Sequence, residues 1–147
     1  MWQASRIHGI KTKDLQDAPS YLSLFPKIKS LLGNRILVAH SCGTEKRFLR
    51  AFPGQKFEPW VDTLTLARAA LPHLEKHRLG ALVPYLGDDF AEHAATKNRQ
   101  WHDALYDAAA SFCFVQTLVQ SLGIKDKPLS LLLSPNTKKY HAIRAEL

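Results

Sequence analysis

A short, almost continuously apolar run at residues 35–40 constrains the fold more than any other feature of the chain. Its sequence, Arg-Ile-Leu-Val-Ala-His, is typical of a strand that is buried on both faces of a parallel sheet. Gly43 ends the run, and a short helix is predicted from Thr44 to Phe52. A second strand is predicted at residues 57–61, followed by a helix at residues 63–71 that Asp62 could cap. This order predicts an α/β fold with a short, mostly parallel sheet flanked by helices.

The longest amphipathic pattern covers residues 103–122 and predicts a helix. Its apolar residues recur three and four positions apart on one face: Leu105, Ala108, Phe112, Val115, Val119 and Leu122. Helices are also predicted at residues 20–32, with a kink or a late start at Pro26, and at residues 79–86. We interpret residues 1–123 as one domain and residues 124–147 as a C-terminal tail with an apolar patch at residues 129–133.

The charge of the chain favours a polyanionic partner. Lys and Arg outnumber Asp and Glu by 20 to 13 among 147 residues, which gives a net charge of +7. Lys46, Arg47 and Arg99 lie beside the two candidate motifs and are candidate nucleic-acid contacts, although each could instead belong to a solvated surface. No apolar run approaches the roughly 20 residues that span a bilayer. Two cysteines without a paired motif fit a reducing cytoplasm.

Residues 101–108, Trp-His-Asp-Ala-Leu-Tyr-Asp-Ala, carry the clearest chemical signal. They place His102 in the loop before the predicted helix and Asp107 in the first helical turn, so the imidazole and the carboxylate can converge on one point. A proton acceptor beside a carboxylate that can bind a metal is what a hydrolase of phosphodiesters requires. Asp103 is interpreted as the helix cap. The alternative for the pair is a further cap and a surface histidine.

Glu45 is the third candidate side chain. Like the His102 and Asp107 pair, it falls at a helix N-terminus beyond the carboxyl end of a predicted strand, where open α/β sheets bind their ligands. The alternative is that Glu45 is an acid favoured by the helix dipole in the first turn of a helix.

Three segments resemble the DEDDh 3′–5′ exonucleases, a family that includes the proofreading subunit of the bacterial replicative polymerase and ribonuclease T. Residues 102–108, HDALYDA, match the family's third motif, His-x-Ala-x-x-Asp-Ala. Residues 37–49, LVAHSCGTEKRFL, resemble its second motif, and the DTL and LAR triplets within residues 62–68 resemble its middle segment. The resemblance covers residues 4–123.

The resemblance implies an RNase H-like fold with two divalent cations, Mg²⁺ or Mn²⁺, that hydrolyses phosphodiester bonds at the 3′ ends of single-stranded DNA or RNA. It implies that Asp107 is a catalytic metal ligand, that His102 is the general base, and that Glu45 replaces the second-motif aspartate as a catalytic ligand. His8 and Ile10 are implied contacts of the terminal nucleotide. Glu45 departs from the family pattern because its extra methylene moves the carboxylate by roughly 1.5 Å.

The family's first motif, Asp-x-Glu on an opening strand, occurs nowhere in this sequence. We therefore expect an incomplete RNase H-like fold that lacks the N-terminal strands and has at most two or three strands, with Met1 internal to a longer parent sequence. The strand at residues 36–38 would then have an unpaired edge, which favours self-association. Two of the family's four carboxylates would be missing, so we expect impaired activity. A catalytically inactive nucleic-acid-binding remnant is the alternative.

Two other functions fit single features of the sequence. His73 and His77 are spaced for a zinc site, but no third ligand with suitable spacing follows them. Cys42 lies near His40 in the sequence, so the two could form a thiol nucleophile and its base. Both residues follow a predicted buried strand, so a role in packing is the favoured interpretation.

Overall fold

The computed structural model describes residue 6 and residues 9–93 and 95–147, in which short strands alternate with helices. The elements are α1 (Phe25–Leu32), β1 (Leu37–Ala39), α2 (Gly43–Leu49), β2 (Trp60–Asp62), α3 (Thr63–Ala70), α4 (Ala104–Ser121), α5 (Ser130–Leu133) and α6 (Thr137–Ala145). Short 3₁₀ helices occupy Thr12–Leu15, Leu22–Leu24, Leu79–Tyr85 and Asp88–Phe90. Within these described ranges, none of the helices has the length and apolar character needed to cross a membrane.

Strands β1 and β2 form a parallel sheet, and α2 lies in the connection between them. The register pairs Leu37 with Trp60 and Ala39 with Asp62. The predicted α/β fold with a short parallel sheet is confirmed, and over the described residues the sheet has two strands. Strand β2 begins later than predicted, because Pro59 has no N–H to donate to a sheet; its carbonyl accepts a hydrogen bond from the Leu37 N–H at 2.9 Å.

A small cluster of buried side chains supports β1 and the end of α2. We call it the aromatic cluster; its buried members are Leu37, Phe52 and Phe57. The rings of Tyr21 and Phe25 stack on Phe52 with centroid distances of 4.4 and 4.9 Å. Helix α1 packs here and has its proline in the first turn, so the predicted late start is confirmed.

The main core lies around α3 and α4. Leu66, Ala67 and Ala70 of α3 and Ala110 and Phe114 of α4 are all fully buried. Alanine side chains at such positions let two helices approach closely and leave room for the larger side chains of their neighbours. This core fixes α4 against α3 and against the 3₁₀ segment Leu79–Tyr85.

Helix α4 confirms the helix predicted at residues 103–122, and the predicted apolar face meets the core in part: Leu122 is buried, and Val115 and Val119 pack against the core. The most deeply buried apolar residues form a neighbouring stripe of Ala109, Ala110, Cys113, Phe114 and Leu118. Leu105 and Phe112 of the predicted stripe are about half exposed. The helix is apolar on two faces, and the second face lines an open groove beside β1. Periodicity alone could not decide which face meets the core.

The C-terminal tail is folded onto the main core. Tyr140 of α6 is completely buried, and its hydroxyl donates a hydrogen bond to the Leu131 carbonyl at 2.9 Å. The Arg144 guanidinium donates to the Ala70 carbonyl at the end of α3. Helix α6 is not predicted from the sequence, because its apolar residues are too few to give a clear helical pattern. The division at residue 123 stays a prediction.

Candidate functional site

Asp62 joins the turns that follow the two strands. Its carboxylate accepts hydrogen bonds from the Ser41 N–H at 3.0 Å, the Cys42 N–H at 3.3 Å and the Leu64 N–H at 3.0 Å. The Leu64 bond caps α3, as predicted for Asp62, whereas the other two hold the turn between β1 and α2. One side chain therefore fixes the carboxyl ends of both strands relative to each other.

These hydrogen bonds keep Asp62 ionised. Burial raises the pKa of the Asp62 carboxyl, but the hydrogen bonds from the backbone N–H groups of Ser41 and Leu64 lower the pKa by more than burial raises it. The net pKa of Asp62 therefore lies below its usual value. From the sequence, Asp62 is predicted only as a helix cap. The contact with Ser41 spans 21 positions, and no local pattern predicts it.

His40 and Cys42 are held in uncharged forms at this end of the sheet. The His40 Nδ1 lies 2.9 Å from the Thr63 hydroxyl. Burial lowers the pKa of His40, and the nearby charges of Asp62 and Asp107 oppose this only in part. Burial, followed by the charge of Asp62, raises the pKa of the Cys42 thiol. A protonated, buried thiol is a poor nucleophile, which favours the packing interpretation.

The loop before α4 is tied to the first turn of that helix. Asp103 accepts hydrogen bonds from the Leu105 N–H at 2.9 Å and the Tyr106 N–H at 3.3 Å, so its predicted role as the helix cap is confirmed. Burial tends to raise the pKa of Asp103, but hydrogen bonds from Arg99, Leu105 and Tyr106 outweigh it, and the net pKa is lowered. Arg99 forms an ion pair with Asp103 at 3.0 Å.

His102 and Asp107 are linked across this turn. His102 has a positive φ of 73°, which is uncommon for a residue other than glycine, and it is exposed. Its backbone N–H donates to Asp107 Oδ1 at 3.4 Å. The rings of Trp101 and Tyr106 meet edge to face at 4.8 Å, and both contact Phe90. The loop that carries His102 is therefore anchored on both sides.

A groove of about 1000 Å³ lies between β1 with α2 on one side and α4 on the other. Glu45 lines it from α2, and His102 and Asp107 line it from the α4 side. His40 lines the groove as well. Burial has the largest effect on the pKa of His40 and lowers it, and the charge of Asp107 is close enough to oppose this effect in part. All three residues proposed for the chemistry thus face one cavity, although Glu45 comes from a distant part of the sequence.

The candidate nucleic-acid contacts are distributed around the site. Lys46 is half-buried, with its Nζ 5.9 Å from the centre of the Trp60 ring, and Arg47 lies 5.7 Å from the Phe48 ring. Arg99 is exposed beside Asp103. Ile10 is exposed, and His8 lies outside the described residues.

The donor groups of the site set a limit on metal binding. Glu45 and Asp107 line the same groove, but the described residues contain no group of three or more His, Cys, Asp or Glu placed to hold a metal ion. Carboxylate oxygens are the ligands that hard divalent cations prefer, and Glu45 and Asp107 are the carboxylates that line the groove. The histidines of the zinc alternative contact other groups: His73 faces the Tyr85 hydroxyl and His77 the Leu71 carbonyl.

The fold and groove define a class: an α/β protein with acidic side chains and a histidine at the carboxyl ends of parallel strands. The chain belongs to the exonuclease family, because the family model described as Exonuclease matches residues 3–113. The predicted family is therefore confirmed. Members of this family generally use divalent metal ions.

Three relatives illustrate the match. The chain is 36% identical over 123 residues to the PolC-type DNA polymerase III of Oceanobacillus iheyensis, which covers 80% of this chain and 8% of the relative. It is 31% identical over 108 residues to the protein of the same name from Bacillus cereus, and 30% identical over 109 residues to the one from Bacillus subtilis. Each of these two matches covers 70% of this chain and 7% of the relative. The chain thus spans less than a tenth of these relatives' length. No solved structure matches it.

Proposed function

We propose that the chain is a DEDDh-type 3′–5′ exonuclease domain that hydrolyses phosphodiester bonds at the 3′ ends of single-stranded nucleic acid. The observation that carries this proposal is the common groove lined by Glu45, His102 and Asp107 in a chain of the exonuclease family. DNA is the preferred substrate in this proposal, because the relatives are named DNA polymerases.

In this proposal each residue has one role. His102 accepts the proton of the attacking water, since its exposed imidazole lies at the edge of the groove. Asp107 and Glu45 provide hard oxygen ligands for Mg²⁺ or Mn²⁺. When bound, the cation supplies charge stabilisation at the phosphate and lowers the pKa of a bound water. The His102 backbone N–H orients the Asp107 carboxylate toward the loop.

The walls of the groove suit a nucleotide. Phe48 and Phe112 are 57% and 53% exposed, and both line the groove together with Trp60. Aromatic rings of this kind can stack on the bases of a single strand without strong sequence preference. The net charge of +7 attracts the phosphate backbone.

The metal ligands limit the expected rate. Among the described residues, the two carboxylates that line the groove are Glu45 and Asp107, and the family mechanism uses two cations. We therefore expect slow hydrolysis by the chain alone.

A 3′-labelled single-stranded DNA tests the proposal. We expect slow shortening from the 3′ end in Mn²⁺ or Mg²⁺ and none in EDTA. His102→Gln should lower the rate by about a hundredfold or more, because general base catalysis contributes that much, and Asp107→Asn should abolish it. The exposed Asp126→Asn is the matched control and should leave the rate unchanged. Equal rates for the Asp107 and Asp126 variants would contradict the proposal.

A nucleic-acid-binding module without turnover is the second candidate. The absence of a three-residue metal group among the described residues favours it. It predicts that the chain binds single-stranded DNA, that no metal-dependent product forms, and that Asp107→Asn binds the DNA as the original chain does. Separate binding and cleavage measurements on the same preparations therefore distinguish the two.

A further inference from the structure

A second cavity is lined by residues of α2 other than Glu45, which lines the groove. It has a volume of about 280 Å³ and lies between the last turns of α2 and the segment that leads into β2. Three basic side chains line it, Lys46, Arg50 and Lys56, with Glu58 as the single carboxylate. Its apolar lining comes from Leu49, Phe57 and Trp60.

The basic side chains of this cavity are available to bind an anion. In the part of the chain that the structure describes, the ion pair within 4 Å is that of Arg99 and Asp103. Lys46, Arg50 and Lys56 therefore have no carboxylate partner at that distance in the described ranges. Arg50 and Lys56 are exposed, and Lys46 is half-buried over the Trp60 ring. Three cations and one carboxylate leave a local excess of two positive charges.

The cavity adjoins the groove. Leu49 and Trp60 line both of them, so the two share a common wall. The Trp60 indole is held in place by a hydrogen bond from its Nε1 to the Phe57 carbonyl. A chain of phosphates that leaves the groove past Trp60 would therefore reach the three cations directly.

We propose that the cavity formed by Lys46, Arg50, Lys56 and Trp60 binds the phosphodiester backbone of a single-stranded nucleic acid whose end lies in the groove. This inference rests on the proposed function. Cations bind the phosphates, and the exposed part of the indole offers a surface for a base. An acidic peptide would satisfy the cations but would gain nothing from an indole placed between the two cavities.

A salt-dependence measurement tests this proposal. The probe is a fluorescein-labelled oligothymidylate in EDTA, which prevents cleavage, and its affinity for the full chain is measured across a potassium chloride series. A triple variant, Lys46→Gln with Arg50→Gln and Lys56→Gln, should lose about tenfold or more in affinity at low salt. The slope of log affinity against log salt should become shallower by about 2, since each phosphate contact on a single strand contributes about 0.7.

A second triple variant separates this site from general electrostatic attraction. Lys125→Gln with Lys127→Gln and Lys138→Gln removes the same charge from exposed positions outside the cavity. It should change the slope by less than half as much. The single variant Lys56→Gln, in an irregular segment, should lower the slope by about 0.7 without disturbing a helix.

Three outcomes can be told apart. A larger slope change for the cavity variant than for its charge-matched control supports the proposal. Equal changes for the two triple variants overturn the cavity but leave the proposed function intact. A chain that binds the oligothymidylate without any salt dependence, or that binds an oligoglutamate equally well, overturns the cavity together with the nucleic-acid part of the proposed function.

Discussion

The two sides of the groove are supported very differently. The α4 side is a helix of 18 residues, and six of these are buried, most of them in the main core. The opposite side consists of the three-residue strand β1 and the seven-residue α2, and α2 has no buried residue of its own. The aromatic cluster beneath it has three buried members. His102 and Asp107 therefore belong to a well-anchored wall, and Glu45 belongs to a weakly anchored one.

This difference indicates where the site can move. Segments with few buried contacts open at a lower free-energy cost than the segments that make up the core. We expect α2 with Glu45 and Lys46 to exchange its backbone amide hydrogens faster than α4. Asp62 limits this motion, because it ties the start of α2 to the end of β2.

The largest expected effect compares the same substitution on the two sides. Phe114 and Phe52 are 0% and 2% exposed, so both are buried phenylalanines. Phe114→Ala should destabilise the chain by about 4–5 kcal/mol, and Phe52→Ala by about 3 kcal/mol, because the surroundings of the smaller cluster can relax into the cavity more easily. Urea denaturation measures both. A cost for Phe52→Ala equal to or above that for Phe114→Ala would contradict the comparison.

Removal of the Asp62 charge should have the next largest effect. Asp62→Asn weakens charged hydrogen bonds to Ser41, Cys42 and Leu64, and we expect a loss of about 2 kcal/mol. Asp126→Asn, at an exposed position, is the control.

The pH dependence of that loss has a definite sign. The pKa of Asp62 in the folded chain lies below its ordinary value of 3.8. Its stabilising contribution is therefore complete above the unfolded pKa and is lost as the pH falls through the folded pKa. The difference between the original chain and Asp62→Asn, followed by urea denaturation, should be constant near neutral pH and shrink in acid. A difference that grows in acid would argue against the hydrogen-bonded carboxylate.

Tyr140 should have a smaller effect at neutral pH. Tyr140→Phe removes the hydrogen bond to the Leu131 carbonyl and should cost about 1 kcal/mol. Burial raises the pKa of Tyr140 to about 12. The contribution of Tyr140 to stability should therefore be constant below the unfolded pKa of about 10 and fall as the pH rises toward 12. Tyr140→Phe should remove that alkaline loss, and Tyr85→Phe, at a half-buried tyrosine, should retain it.

The smallest change in stability is expected at the edge of β1. Ile36 is 48% exposed and precedes the strand, whose pairing partner among the described residues is β2. We predict concentration-dependent self-association, and Ile36→Lys should reduce it while changing the stability of the monomer by about 0.5 kcal/mol or less. Val83→Lys is the control, since Val83 is also 48% exposed. Sedimentation that shows equal association for both variants would contradict a role for this edge.

Much of the fold followed from local patterns. The apolar run of β1, the cap residues Asp62 and Asp103 and the helical spacing of α4 were each sufficient to predict an element. Periodicity did not identify the most buried residues of α4, because a helix with two apolar faces does not reveal which one meets the core. Helix α6 was missed for the opposite reason, since Tyr140 and Ile143 are its main apolar contacts with the core.

The candidate site was predictable only in part. Placement of ligand sites beyond the carboxyl ends of strands was enough to expect Glu45 on the same side of the fold as His102 and Asp107, and the three residues line one groove. The contact of Asp62 with Ser41 and the shared cavity of Lys56 and Lys46 join segments that carry no mutual signal in the sequence. Such contacts depend on how loops return in three dimensions, and only the folded chain provides that information.

The central claim is that carboxylates from the two unequal sides hold the same divalent ion, and a Mn²⁺ titration followed by electron paramagnetic resonance tests it most directly. Glu45→Gln and Asp107→Asn should each weaken Mn²⁺ binding by about tenfold or more, and Asp126→Asn should leave it unchanged. If Mn²⁺ binds to the Glu45 variant as tightly as to the original chain while the Asp107 variant loses it, the two carboxylates do not share an ion and the account is wrong.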